Sequence, residues 1–274
     1  CIDCDRPWAV SFGRNVILRN LKDPKEGLDM RVDIALQGPL SQDILLNLVS
    51  ECDGRRIQRL KRTQLCERMV AGLDVVISRT GYTGEYMCFE LFVHPDHATE
   101  LWNALMEAGE PLGLKPCGLG ARDSLRTEAG LPLYGHEMGG EFNLGVSEAG
   151  FMGFVKTNTP WFIGRSAYIK QEMQRQGVVI RFSFEDKGVR MAHHGDPIID
   201  SKGKYIGKVT SCAIDQDGYL TGQAFVDKKY TVEGTSIYIY QSAPDIKLKA
   251  PAQLTSGDKV VLPTHAKVIA RFLK

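Results

Sequence analysis

Short apolar runs broken by turn residues dominate the first third of the chain. Residues 16–18 (VIL) are apolar, residues 22–27 (KDPKEG) make a charged turn, and residues 32–36 resume with polar–apolar alternation, predicting strand, turn and strand. After a turn at Gln37-Gly38-Pro39, Ser41 is placed to cap a helix whose one face carries Ile44, Leu45, Leu48 and Val49. Residues 70–78 (VAGLDVVIS) and 87–93 (MCFELFV) predict a pair of strands. Between them, Arg79-Thr80-Gly81-Tyr82-Thr83-Gly84-Glu85 supplies glycines suited to a tight connection. Asp96 is the expected cap of a helix running to Ala108, with Leu101, Ala104, Leu105 and Ala108 along one face. Helix, hairpin and helix predict an α+β unit over about residues 30–115.

The pattern then changes. Gly118 and Gly120 lead into a helix over residues 121–129 (ARDSLRTEA), closed by Gly130. Residues 135–153 are glycine-rich and irregular, the composition of a loop that lines a site rather than fills a core. Residues 165–176 predict a helix stopped by Gly177. From Val178 onward no helical period occurs, and the segments VVIRFSF, YIGKVTSC, LTGQAFVD, SIYIY and KVIARF alternate with Gly, Asp and Pro turns. That spacing predicts a small antiparallel barrel or sandwich. No repeat and no low-complexity tract interrupts it.

Composition narrows the function classes. A chain of 274 residues has room for two or three domains. Its 34 basic and 33 acidic residues leave a net charge of +1, so no strong field directs it to nucleic acid or an anionic membrane. No run approaches the roughly 18 apolar residues of a membrane span. Residues 1–10 are mixed, unlike a signal peptide, and the opening Cys in place of Met predicts a fragment or a processed product. Seven scattered cysteines fit a reducing compartment better than a disulfide scaffold. Cys1 and Cys4 make a C-x-x-C without a second pair at zinc spacing, so they are read as incidental. His193 and His194 are adjacent, with no convergent carboxylate or cysteine evident, and predict a polar loop and no metal site.

Three places carry more polarity than packing needs. Glu90 lies inside the apolar run Cys88-Phe89-Glu90-Leu91-Phe92, on the face opposite Phe89 and Leu91. It is either the exposed face of a half-buried strand or a carboxylate held to accept hydrogen bonds from a ligand, which needs a donor-rich partner. Arg122 stands at the first turn of its helix, where a cation opposes the helix dipole. Its plain reading is a surface salt bridge to Asp123 or Glu128; the alternative is a binding role. Tyr82, at the hairpin tip, is either core edge or a stacking platform.

At these same places the sequence resembles a known family. Residues 77–85 (ISRTGYTGE), 118–135 (GLGARDSLRTEAGLPLYG) and 162–165 (FIGR) are similar, in family order, to the glycine-cleavage T-protein (aminomethyltransferase) family of tetrahydrofolate-dependent one-carbon transferases. Residues 35–39 (ALQGP) and 206–211 (IGKVTS) add to the likeness. The resemblance implies an α+β fold, a cloverleaf of three domains around a central folate site, with a C-terminal antiparallel β-barrel. On that basis residues 1–34 are a remnant of an N-terminal folate-binding domain whose beginning is missing. Residues 35–115 are an α+β domain with the hairpin carrying GYTGE, 116–176 return to the folate-site domain, and 177–274 are the barrel. Glu90 and Arg122 match the family's folate-contacting glutamate and arginine, and Tyr82 its hairpin tyrosine near the pterin. The family's catalytic aspartate falls upstream of residue 1, so the role is assigned to no aspartate here.

The chemistry implied is transfer of an aminomethyl unit from the lipoyl arm of a carrier protein to N5 of tetrahydrofolate, with loss of ammonia, in the cytoplasm or, in a eukaryote, the mitochondrial matrix. One departure counts against a simple carry-over. Four residues, Tyr86-Met87-Cys88-Phe89, separate Glu85 from Glu90, one more than is usual in the family. Either a bulge keeps Glu90 in place or Glu85 competes for its role. This spacing also keeps open a demethylase that takes its carbon from a small methylated donor. The expected donor lining is residues 134–152 with Tyr86 and Met87, including His136, Glu137, Glu141, Phe142 and Phe151. A non-enzymatic folate-binding relative is the third reading. Its reactive-cysteine signature K-G-C-Y-T-G-Q is absent, with Thr80 where the Cys would stand.

Overall fold

Burial alternates residue by residue along the strands of the first half of the chain, giving each one face for a core and one for polar contacts. The computed structural model describes residues 19–241, 253, 255–257 and 262–272. The strand expected at residues 16–18 and the pair Cys1 and Cys4 lie outside the described residues. By their contacts the residues form two compact units, Cys1–Pro116 and Cys117–Lys274.

The first unit holds strand β1 (Val32–Gln37), helices α1 (Ser41–Leu46) and α2 (Glu51–Gln58), strands β2 (Leu65–Val70), β3 (Leu73–Ser78) and β4 (Cys88–Val93), and helix α3 (Ala98–Gly109). The strands form an antiparallel sheet in the order β1-β4-β3-β2. Val75 and Ile77 of β3 and Phe89, Leu91 and Val93 of β4 share the face that meets Ile44, Leu45, Ile57, Leu101 and Leu105 of the helices. Helix α3 thus buries the i, i+4 pair Leu101 and Leu105, as its period predicts.

Several local expectations are corrected. The run at 70–78 is not one strand: β2 ends at Val70, and Ala71 and Gly72, both at positive φ, turn the chain directly into β3. Such a two-residue turn needs left-handed backbone at both positions. Ser41 is not the cap of α1 but its first residue; its hydroxyl donates to the Met87 carbonyl, 3.1 Å away, and ties the helix to the β3–β4 connection. Leu48 and Val49 lie beyond the end of α1, yet pack on the same core. Asp96 sits inside a 3-10 turn, Pro95–His97, where its N–H donates to His94 instead of its carboxylate capping α3. Helix α2 and strand β2 were not foreseen. The signal for α2 was there, since Ser50 caps it by accepting from the Asp53 N–H.

The second unit begins with helix α4 (Leu119–Glu128). Gly130, at φ +77°, closes it in a double hydrogen-bonded turn: the Gly130 N–H donates to Thr127 O and the Leu131 N–H to Arg126 O. Helix α5 (Arg165–Gln174) ends sooner than expected, because Arg175 turns to extended backbone (ψ 120°). Gly177 is therefore not a helix stop but the first residue of β5 (Gly177–Phe184). With β6 (Pro197–Ile199), β7 (Tyr205–Ile214), β8 (Leu220–Asp227), β9 (Ser236–Ile239) and β10 (Thr264–Ile269) it makes a closed barrel in the order β10-β5-β8-β7-β6-β9. Of the two forms the sequence allowed, closure excludes the sandwich: β10 pairs with both β5 and β9, leaving no free edge there. Phe182, Phe184, Val209, Ala224, Val226, Ile237 and Val268 fill the interior. The short β6 had no pattern long enough to read. Among the described residues no helix is long and apolar enough to cross a membrane.

Candidate functional site

Strand β4 positions Glu90 through an unbroken register. Glu90 stands opposite Ala35 on one side and Ser78 on the other, on the sheet face away from Phe89 and Leu91. No bulge interrupts β4. The segment before Cys88 is irregular, and from Cys88 onward strand alternation runs through Glu90 in register. The half-buried carboxylate accepts a hydrogen bond from the Thr80 hydroxyl, which lies 2.8 Å from Ser78 Oγ. Hydroxyl groups thus stand beside it. Glu85 is differently occupied. Its Oε1 accepts from the Tyr86 N–H at 2.7 Å and the Met87 N–H at 3.3 Å, so the carboxylate holds its own turn.

The loop carrying Tyr82 is held from three sides. Thr83 donates its hydroxyl to Gln37, the Gly38 N–H donates to Met87 O at 3.0 Å, and Gly81 lies against Cys88. A Cβ at position 81 would stand 2.7 Å from Cys88 Cβ, so only glycine fits. Beneath the loop lies Arg79, which sequence reasoning passed over. It is 6% exposed, donates to Tyr86 O at 3.1 Å, and sits 5.2 Å from the Tyr86 ring centre and 5.7 Å from that of Phe89. A cation over ring faces is attracted by their quadrupoles, which offsets part of its desolvation.

In the second unit Arg122 is exposed on the first turn of α4. Its expected surface partner is taken: Asp123 accepts from Arg126 Nε at 2.7 Å instead. Arg126 is the residue that sequence reasoning missed. Fully buried, it donates through Nη1 to Glu137 Oε2 at 3.0 Å and to Leu131 O at 3.2 Å, and through Nη2 to Ser211 Oγ at 2.8 Å. Glu137, also without exposed surface, accepts further from Thr210 Oγ1 at 2.6 Å, Ser211 Oγ at 2.7 Å and the Leu133 N–H at 2.8 Å. Burial pushes the Glu137 carboxyl up, but Arg126 and these hydrogen bonds hold it below the usual carboxylate value. So Glu137 does not line a pocket as expected, and the loop of residues 135–153 fills space at Glu137, Ser147 and Ala149.

His136 Nδ1 lies 3.1 Å from Arg126 Nη2, which can only donate. His194 Nδ1 is 2.9 Å from Thr210 O, and its ring meets Phe142 edge-on at 4.8 Å. His193 lies beside Asp196, whose carboxylate accepts the His193 N–H at 2.7 Å. Among the described residues no group of His, Cys, Asp and Glu converges as metal ligands would. A groove of about 340 Å³ runs along the barrel past Phe142, Gln176, Tyr205, Lys208, Phe225 and Asp227. None of the residues foreseen from the sequence as folate contacts lines it.

Residues 21–159 match the family described as the GCVT N-terminal domain. A protein of Caldanaerobacter subterraneus subsp. tengcongensis named aminomethyltransferase is 38% identical over 220 residues, covering 77% of this chain and 54% of its own length. Another of that name from Clostridium botulinum (strain Kyoto / Type A2) is 40% identical over 237 residues, covering 82% and 58%. The chain therefore spans little more than half the length of these relatives. Among solved structures, the glycine cleavage system aminomethyltransferase T from Bartonella henselae superposes with a TM-score of 0.67 at 24% identity. It covers 88% of this chain and 59% of that one, a likeness of fold.

Proposed function

The chain belongs to the family of the GCVT N-terminal domain, and on that premise we propose that it is part of a tetrahydrofolate-dependent aminomethyltransferase. In this reading the protein moves an aminomethyl unit from the lipoyl arm of a carrier protein to tetrahydrofolate, with loss of ammonia, in the cytoplasm or the mitochondrial matrix. Bound tetrahydrofolate supplies the N5 nitrogen that accepts the carbon. The observation that supports the reading most is the half-buried Glu90 carboxylate, kept in register by β4 and flanked by hydroxyls, in a chain about 38% identical to aminomethyltransferases.

Each named residue has a role suited to its chemistry. Glu90 accepts hydrogen bonds from a ring N–H and an exocyclic amine of a flat heterocycle, the pairing a carboxylate makes best. Tyr82 offers a ring face to the same heterocycle. Arg122, exposed and without an ion-pair partner among the described residues, supplies donors to the ligand's oxygens. These groups orient and stabilise charge, so positioning provides most of the rate. Residues 35–115 then form the domain that presents the hairpin, residues 116–176 rejoin the folate-binding part, and 177–274 form the barrel. The small-donor demethylase reading loses one of its polar groups, because Glu137 is consumed by Arg126.

The test uses the full-length natural protein with tetrahydrofolate and two donors. Release of ammonia and formation of methylene-tetrahydrofolate from an aminomethylated lipoyl carrier support the reading. Formation of methyl-tetrahydrofolate from a small methylated amine, with the carrier inert, replaces it with the demethylase. No calorimetric binding of tetrahydrofolate removes both.

A further inference from the structure

Helix α4 is attached to its unit without an aliphatic anchor. Along its ten residues only Arg126 and Thr127 are buried. Its N-cap, Gly118, offers no side chain to the first turn, and that turn holds no acidic residue. Most helices in proteins are held by an apolar stripe that can slide and rotate by small amounts. Here the side-chain hydrogen bond from the helix to β7 comes from one guanidinium, that of Arg126 to Ser211. Arg126 is bound at Nε, Nη1 and Nη2 to Asp123, Leu131 O, Glu137 and Ser211, partners from the helix itself, the following loop and β7. The planar fork admits one arrangement of such partners, so it fixes the helix in rotation as well as in height.

Arg122 lies one turn before Arg126, on the same side of the helix. Whatever sets the azimuth of Arg126 also sets where Arg122 projects. A buried ion pair contributes little net stability compared with a packed apolar pair, and in some proteins such pairs serve instead to select one geometry over its neighbours. We propose that Arg126 and Glu137 are positioning residues for Arg122, holding α4 on the barrel in the single orientation that presents Arg122 to the folate. This inference rests on the folate reading above. It assigns the pair a role in affinity, through Arg122, in addition to any role in folding.

The experiment is a double-mutant cycle on tetrahydrofolate binding by the full-length protein, read by calorimetry beside a thermal melt. Arg122→Ala and Glu137→Gln are each expected to weaken binding about tenfold, and the double variant to bind within about twofold of Arg122→Ala alone. Losses that multiply overturn the inference, because a pair with a merely structural role does not couple to Arg122. Should Glu137→Gln fail to fold, Ser211→Ala takes its place in the cycle with the same criterion. It removes one hydrogen bond from each partner and leaves the charges paired. Absence of binding by the parent protein overturns the folate reading and this inference together. Normal parental binding with multiplying losses overturns this inference alone.

Discussion

Arg126 Nη1 lies 3.0 Å from Glu137 Oε2, and neither side chain has any exposed surface. Burial raises the Glu137 carboxyl, but Arg126 outweighs it with the help of Thr210, the Leu133 N–H and Ser211, so the folded value is below the ordinary 4.5. A carboxyl depressed in the folded state adds stability that is present above its unfolded value and disappears as pH falls through the folded one. Glu137→Ala should cost about 3–5 kcal/mol at neutral pH, the penalty for stranding a buried charge. Glu137→Gln, which keeps hydrogen-bonding capacity, should cost about 1–3 kcal/mol. Both deficits should shrink as pH drops below 4.5. Urea unfolding of parent and variants at several pH values checks this; a deficit that stays constant into acid contradicts it.

The turn between β2 and β3 carries an avoidable strain. Val70 pairs with Leu73 across Ala71 and Gly72, whose φ angles are 51° and 81°. Glycine accepts the left-handed region freely, whereas alanine pays for its Cβ there. Ala71→Asn should stabilise the first unit by about 0.5–1 kcal/mol, since asparagine tolerates this conformation and Asn-Gly is the favoured pair. A rise in the unfolding midpoint is expected, and a fall would mean the turn is not of this type.

Gly81 is required for its lack of a side chain rather than for its backbone angles. A Cβ there meets Cys88 Cβ and Sγ at 2.7 Å and Gln37 Oε1 at 2.9 Å. Gly81→Ala should therefore cost about 1–3 kcal/mol through overpacking. Adding Cys88→Ala should not restore stability fully, because the Cβ–Cβ approach remains. Full recovery in the double variant would place the clash at the sulfur alone.

Glu85 and Glu90, the two candidates for one role in the sequence, have different partners in the fold. Glu85 is engaged by the N–H groups of Tyr86 and Met87, while among the described residues Glu90 receives only the Thr80 hydroxyl. Glu90→Gln should lower tetrahydrofolate affinity by about 1.5–3 kcal/mol, as for a lost charged hydrogen bond. Glu85→Gln should stay within about 0.5 kcal/mol, the range of a surface change. The reverse order in a calorimetric titration would transfer the role to Glu85.

What the sequence determined alone is what short-range pattern can carry. Alternation marked β1, short apolar runs bounded by turn residues marked β3, β4, β5, β7, β8, β9 and β10, and strand alternation put Glu90 on the face opposite Phe89 and Leu91. Gly130 marked the end of α4 because its positive φ is a local demand on one residue. Only the tertiary structure decided that β10 closes the barrel against β5 and β9, that Ser41 serves Met87 instead of capping, and that Asp123 serves Arg126 rather than Arg122. It alone revealed Arg126 and Glu137 as one buried group with Ser211, 85 residues along the chain from Arg126. The physical reason is the same in each case. A hydrophobic period records which side of an element avoids water, whereas a buried polar group is stabilised by particular partners, and partners distant in sequence leave no period to read.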